Sequence, residues 1–189
     1  MKPANRSEEL HEGKTMEIKD NYLKQEEFDK IQEIMVGGKW QGGIGWYYND
    51  AIDYKEQKDK FQFCHSFYEG WNPNSQYFNI LKPILDIINP LSVYRIKANL
   101  LTKTPNIVEN EFHVDIYLPE EKLKQWTTSI FYMNTNNGYT KFENGTKIES
   151  VANRMITFPA NMKHSGTSCS DEKTRVVINF NYFEMVNDE

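Results

Sequence analysis

His113 and Asp115 stand two apart in the tetrapeptide Phe112-His113-Val114-Asp115. Successive side chains of an extended strand point to opposite faces, so this imidazole and carboxylate project side by side while Phe112 and Val114 point away. Together they are two thirds of the two-histidine, one-carboxylate face that holds iron(II) and leaves coordination positions open. A second imidazole must then arrive from elsewhere. Of the four histidines in the chain, His164 is the expected donor, at the end of Phe158-Pro159-Ala160-Asn161-Met162-Lys163-His164 and just past a β-rich segment. His65 lies in an aromatic stretch and reads as a structural histidine. A little further on, Arg175 opens the run to Phe183.

That last run says how such groups would be positioned. Val176, Ile178, Phe180 and Tyr182 share one face, apolar enough to pack on helices, and Arg175, Val177, Asn179 and Asn181 share the other. A face of charge and amide is costly to bury without partners, so it is expected to line a polar pocket inside a barrel. Further strands are expected over 92–101, 111–118, 127–134, 140–142, 146–150 and 153–158, with tight turns at Asn136-Asn137-Gly138 and Asn144-Gly145. Before them, Phe28, Ile31, Ile34 and Met35 have the spacing of a helix that starts from Asp20 and stops at Gly37-Gly38. A second helix carries Phe78, Leu81, Leu85 and Ile88, kinked or split by Pro83 and ended by Asn89-Pro90. Helices first and many short strands after suit a mainly β fold: a double-stranded β-helix, or jelly roll, with N-terminal helices packed on one sheet.

At 189 residues the chain suits one domain, expected over 16–189 behind a polar, flexible N-terminal segment, 1–15. The net charge of -5, with no run of Lys and Arg, makes nucleic acid and anionic membrane surfaces poor partners. No apolar stretch approaches the ~20 residues of a membrane span, and no signal-peptide core follows Met1, so the expected location is cytoplasmic. Cys64 and Cys169 are expected to be free thiols. The stretch from Trp40 to Trp71 is crowded with aromatics, among them Trp46, Tyr47, Tyr48, Tyr54, Phe61, Phe63, Phe67 and Tyr68. Such a stretch serves either as sheet packing or as a rim for a peptide substrate, including a proline-containing one.

The order His-x-Asp, distant His, then Arg opening a β-rich run resembles the Fe(II)/2-oxoglutarate-dependent oxygenases, and within them the prolyl 4-hydroxylase-like branch. The segments Tyr94 to Leu100, Asn137-Gly138-Tyr139-Thr140, Val151-Ala152-Asn153-Arg154 and Arg175 to Phe183 look most like the small phage-encoded members. The likeness is strongest over 92–184. It implies that His113, Asp115 and His164 hold Fe(II), and that Arg175 forms a two-pronged pair with the distal carboxylate of 2-oxoglutarate. Tyr132 matches the family's tyrosine on that same carboxylate. Asn179 stands where relatives have a small polar cosubstrate contact, and Asn99 and Thr140 are further pocket residues. Lys97 and Arg154 could also reach cosubstrate, against solvent-facing or salt-bridged roles.

The implied reaction consumes dioxygen and converts 2-oxoglutarate to succinate and carbon dioxide, with ascorbate as an auxiliary reductant. It hydroxylates a prolyl residue in a peptide or protein, in the host cytoplasm for a phage-encoded chain. Two other readings stay open. A cupin-like metalloenzyme that does not use 2-oxoglutarate would carry more histidine ligands. A non-catalytic jelly-roll module would bind peptide or carbohydrate through the aromatic run, with His-x-Asp incidental.

Overall fold

The computed structural model describes residues 15–37, 43–52 and 60–184, so the expected flexible segment, apart from its last residue, and Gly38, Trp40 and Tyr54 lie outside the described residues. In chain order the elements begin with β1 (Glu17–Lys19), α1 (Gln25–Val36), β2 (Tyr47–Asn49), β3 (Gln62–Glu69) and β4 (Asn72–Pro73). A 3₁₀ turn (Phe78–Leu81), α2 (Lys82–Ile88), β5 (Ser92–Thr102) and α3 (Glu120–Leu123) follow. The rest is strand: β6 (Thr127–Tyr132), β7 (Tyr139–Phe142), β8 (Lys147–Glu149), β9 (Arg154–Pro159), β10 (His164–Gly166) and β11 (Thr174–Phe183). No helix among the described residues is long and apolar enough to cross a membrane.

The strands form two antiparallel sheets. The large one runs β1-β9-β6-β11-β5-β3-β2 with β4 beside β3, and the small one runs β10-β7-β8. β11 is central, pairing with β5 from Thr174↔Thr102 to Phe183↔Ser92 and with β6 from Val177↔Tyr132 to Tyr182↔Thr127. Its alternation separates two cores. Val176, Ile178, Phe180 and Tyr182 pack with Phe28, Ile31 and Met35 of α1 and with Ile84 of α2. Val177 faces the other way and packs with Ile130, Tyr132 and Phe158 of the large sheet and with Phe142 and Ile148 of the small one. This is the expected double-stranded β-helix, with the helices backing one sheet.

Local chemistry explains the element ends. Pro83 sits in the first turn of α2, where a missing N–H costs nothing, and the 3₁₀ turn before it is the expected split. Asn89 ends α2 in the left-handed region at φ 46°, its N–H on the Leu85 carbonyl. α1 starts at Gln25 rather than Asp20, because residues 20–23 are claimed by the turn before β9. Asp20 pairs with Arg154 at 2.6 Å, and the Asn153 side chain bonds both the N–H and the carbonyl of Leu23, each at 2.9 Å. The aromatic stretch supplies β2, β3 and β4. His65 is structural as expected, its ring nitrogens within hydrogen-bonding distance of the Gly45 carbonyl (2.6 Å) and the Ser75 hydroxyl (2.8 Å).

One expected strand is absent. Residues 111–118 form no ladder; the segment touches β10 through one isolated bridge, His113↔His164, a second bridge, Glu109↔Thr167, lies just before it, and the chain then bends toward α3. The segment lies against the edge of the short β10, which offers too few partners for a continuous ladder.

Phe131 is wholly buried where β6 meets α1, edge-on to Phe28 at 5.9 Å. Phe131→Ala is expected to cost about 3–5 kcal/mol, read as an earlier midpoint in urea. A loss below about 1 kcal/mol would mean that α1 does not pack on this sheet.

Candidate metal centre and anion pocket

His113 and His164 face each other across the isolated bridge. The N–H of each donates to the carbonyl of the other at 3.0 Å. Residues directly opposed in an antiparallel pair put their side chains on the same face, and the two ring centroids are 4.8 Å apart. In each ring Nδ1 donates to the carbonyl two residues earlier, His113 to Glu111 at 3.2 Å and His164 to Met162 at 3.3 Å. That fixes the tautomer and leaves the Nε2 lone pair for a ligand role. Both Nε2 atoms turn toward Asp115, at 3.7 Å from Oδ1 for His113 and 4.0 Å from Oδ2 for His164. The three candidate ligand atoms lie within 4.8 Å of one another. Nε2 of His164 is buried without a hydrogen-bond partner among the described residues, which suits a nitrogen reserved for a metal ion.

Because its segment has no ladder, Asp115 is held by side chains. Asn179 and Asn181 of β11 each donate an amide N–H to Oδ2, at 3.2 and 3.1 Å, and Asn181 is itself anchored to Thr128. Arg95 of β5 donates to the Asp115 backbone carbonyl at 3.1 Å and stands 3.6 Å from Oδ1. Burial raises the Asp115 pKa, but the surrounding groups of His113, His164 and Arg95 outweigh it. The carboxyl is held well below its usual range. Burial lowers the His164 pKa against the pull of Asp115, so that ring is neutral at neutral pH. An anionic carboxylate and neutral imidazoles are the forms that bind a metal.

Arg175 is only 3% exposed, yet its partners are hydroxyls: Nε donates to Ser150 at 2.7 Å and Nη2 to Thr140 at 3.1 Å. Among the described residues no carboxylate pairs with it. Burial lowers its pKa, but a guanidinium stays protonated, so a cation is buried without a counter-ion. Gly138 makes room for it, since a Cβ there would lie 2.7 Å from Arg175 Cδ and from the Ser168 carbonyl.

The fold thus brings His113, Asp115, His164 and Arg175 to one open cleft of about 510 Å³. Asn99, Thr140 and Asn179 also line it. Tyr132 is buried behind Thr140, to which its hydroxyl donates at 2.7 Å, with its ring 5.7 Å from the Arg175 guanidinium carbon. Arg154 is engaged with Asp20, and Cys169 is buried with its thiol on the Glu172 carbonyl. Sequence reasoning gave no role to Arg95, Asn181 or Ser150. Asn181 was visible on the polar face of its strand, and Arg95 has the same alternation as Lys97. Ser150 lies in a connecting loop, where nothing in the sequence marks it.

No protein-family model and no curated protein matches the sequence. Solved structures do match in shape. A viral collagen prolyl hydroxylase from Paramecium Bursaria Chlorella virus-1, in complex with 2-oxoglutarate, is 15% identical with a TM-score of 0.57, covering 93% of this chain and 99% of that one. A prolyl hydroxylase of Trichoplax adhaerens, in complex with a hypoxia inducible factor peptide fragment, is 12% identical at 0.60, covering 89% and 83%. An oxidoreductase of the 2OG-Fe(II) oxygenase family from Burkholderia pseudomallei is 10% identical at 0.60, covering 94% and 89%. At these identities the likeness is one of fold: the chain has the jelly roll of the Fe(II)/2-oxoglutarate oxygenases.

Asn181→Leu removes a donor from Asp115 and from Thr128 without touching a candidate ligand atom. It is expected to weaken Mn(II) binding about 10-fold or more, measured by electron paramagnetic resonance titration. Unchanged affinity would mean that Asp115 is oriented by other means.

Proposed function

We propose that this chain is an Fe(II)- and 2-oxoglutarate-dependent dioxygenase that hydroxylates a prolyl residue in a peptide or protein. The observation that carries this reading is the buried Arg175 guanidinium, without a carboxylate partner among the described residues, in the same cleft as the His113, Asp115 and His164 side chains. A buried charge without a partner costs several kcal/mol, which a carboxylate from a small acid offsets. A metal face at one end and an anion grip at the other is what a 2-oxo dicarboxylic acid requires of a pocket.

His113, Asp115 and His164 would hold the metal through two imidazole nitrogens and a carboxylate oxygen. When bound there, iron(II) and 2-oxoglutarate supply the oxidant: dioxygen is consumed as the 2-oxo acid loses carbon dioxide to become succinate, one oxygen atom entering succinate and the other the substrate. The protein's part is positioning. The Glu111 and Met162 carbonyls keep each Nε2 free of a proton, and Asn179 and Asn181 hold Asp115 through Oδ2. Arg175 grips the distal carboxylate with paired N–H donors, worth about 1.5–3 kcal/mol. Thr140 accepts from both the Tyr132 hydroxyl and the guanidinium, which fixes the guanidinium and leaves the Thr140 hydroxyl proton to donate toward the acid.

Two observations support a peptide substrate. Phe61 lines an apolar groove that shares Ile52, Leu101 and Asn110 with the cleft, and Tyr48 stacks beside Phe61 at 5.8 Å on the exposed edge of the sheet. Prolyl hydroxylase is also what the viral and Trichoplax proteins are called, the latter with a peptide bound.

The test is succinate formation from 2-oxoglutarate in air with Fe(II) and ascorbate. Slow turnover without substrate is expected, and His113→Ala should reduce it at least 100-fold; a metal-loaded protein that makes no succinate, even with proline-containing peptides present, would defeat the proposal. Arg175→Lys retains the charge but not the fork, so it should weaken 2-oxoglutarate binding at least 10-fold while Fe(II) affinity holds. Equal loss of both affinities would assign Arg175 a folding role.

A further inference from the structure

Arg95, Lys97 and Arg175 all belong to the inner face of the large sheet, shown by their register: Arg95 opposite Asn181, Lys97 opposite Asn179, and Leu101 opposite Arg175. Arg95 is occupied by Asp115. Lys97 lines the cleft and forms no hydrogen bond or ion pair among the described residues. Some other lysines are paired, as Lys30 with Glu26 and Lys141 with Glu109, and others such as Lys103 and Lys124 are not; what sets Lys97 apart is that it faces the cleft.

Charge balance makes that ammonium informative. In the proposed loaded centre the divalent metal, the two carboxylates of 2-oxoglutarate, Asp115 and Arg175 cancel. Arg95 and Lys97 remain as excess positive charge, and only Lys97 lacks a polar partner. Its position separates it from the Arg175 end. Leu101, opposite Arg175, is four positions along β5 from Lys97 (101 minus 97), or about 13 Å at the rise of a strand. One carboxylate cannot bridge that distance. Asn179, opposite Lys97, bonds Asp115, so Lys97 stands at the metal end of the cleft, where a substrate must approach.

Resting on the reading of this cleft as an oxygenase centre, we infer that Lys97 is a specificity-determining residue, and that the substrate carries a carboxylate beside the carbon that is hydroxylated. That carboxylate belongs either to an acidic side chain next to the target residue or to the end of the substrate chain. In both cases it forms a charge-assisted pair in a half-sheltered site, where screening by salt is weaker than on the surface.

The experiment uses the full chain loaded with redox-inert Mn(II) and 2-oxoglutarate, with peptide binding read by isothermal titration calorimetry. Two peptide pairs are compared: Glu against Gln immediately before the proline, and a free C-terminal proline against its amide. In at least one pair the acid should bind at least 10-fold more tightly, and the pair that shows it identifies the source of the carboxylate. Lys97→Gln should erase the difference while the Mn(II) and 2-oxoglutarate affinities stay within about 2-fold and the melting temperature holds. Equal binding within both pairs, or no binding by any of the four peptides, would overturn the inference. So would a 10-fold loss of 2-oxoglutarate affinity in Lys97→Gln, which would make Lys97 a cosubstrate contact. Succinate formation by the wild-type chain keeps the two levels apart. Succinate without an acid preference removes only the role of Lys97, whereas no succinate removes the oxygenase reading and this inference with it.

Discussion

The candidate centre depends on one pair of backbone hydrogen bonds, between His113 and His164. His164 is held in the short β10–β7 ladder, opposite Phe142, but the segment around His113 has no ladder, so the bridge to His164 is what places its imidazole. Two N–H groups and two carbonyls satisfy each other, and the pleat puts both rings on one side. The carbonyls of Glu111 and Met162 then orient each ring, so backbone positions both imidazoles and sets their tautomers. Phe142 of the small sheet and Phe158 of the large one pack against the His164 ring.

The third ligand is placed by a different device. Asp115 follows the bridge by two residues, after the chain has left the edge of the sheet, and side chains from the two central strands reach across to hold it. Those strands can do so because the opposite face of β11 is packed on the helices. A strand anchored by four large apolar side chains tolerates Arg175, Asn179 and Asn181 on its other face, where burial of polar groups would otherwise destabilise it. Core and site are thus two faces of the same ten residues.

This division explains what was legible in the sequence. The period-two pattern of 174–183 showed both faces, and with them the fold class and the side from which Arg175 would act. The helical spacing of Phe28, Ile31 and Met35 gave the element that covers the sheet. His113 and Asp115 were identified by types and spacing that suit a strand, although the segment is not one. An extended backbone gives the i, i+2 geometry whether or not a neighbour continues the ladder. What the sequence hid is non-local. β1 pairs with a strand from the far end of the chain, and residues 20–23 leave the helix for the Asn153 turn. Arg95 and Asn181 hold Asp115 because a register set along the whole β5–β11 ladder brings them there. Gly138 read as a turn residue; its role is the space it leaves beside Arg175.

The inner face is unevenly compensated, and the unevenness has a direction. Around Asp115 the donors from Asn179, Asn181 and Arg95 leave the carboxylate well satisfied, so that end is settled before any ligand arrives. At the far end Arg175 has hydroxyls but no anion among the described residues, and at the metal end the Lys97 ammonium has no partner among them either. A fold selected for stability alone would place carboxylates near both cations or replace them with apolar residues. Under the proposed function, two under-compensated cations in one cleft cost the empty protein stability that an anionic ligand would offset, while the apolar packing on the other side of the sheet holds them in place.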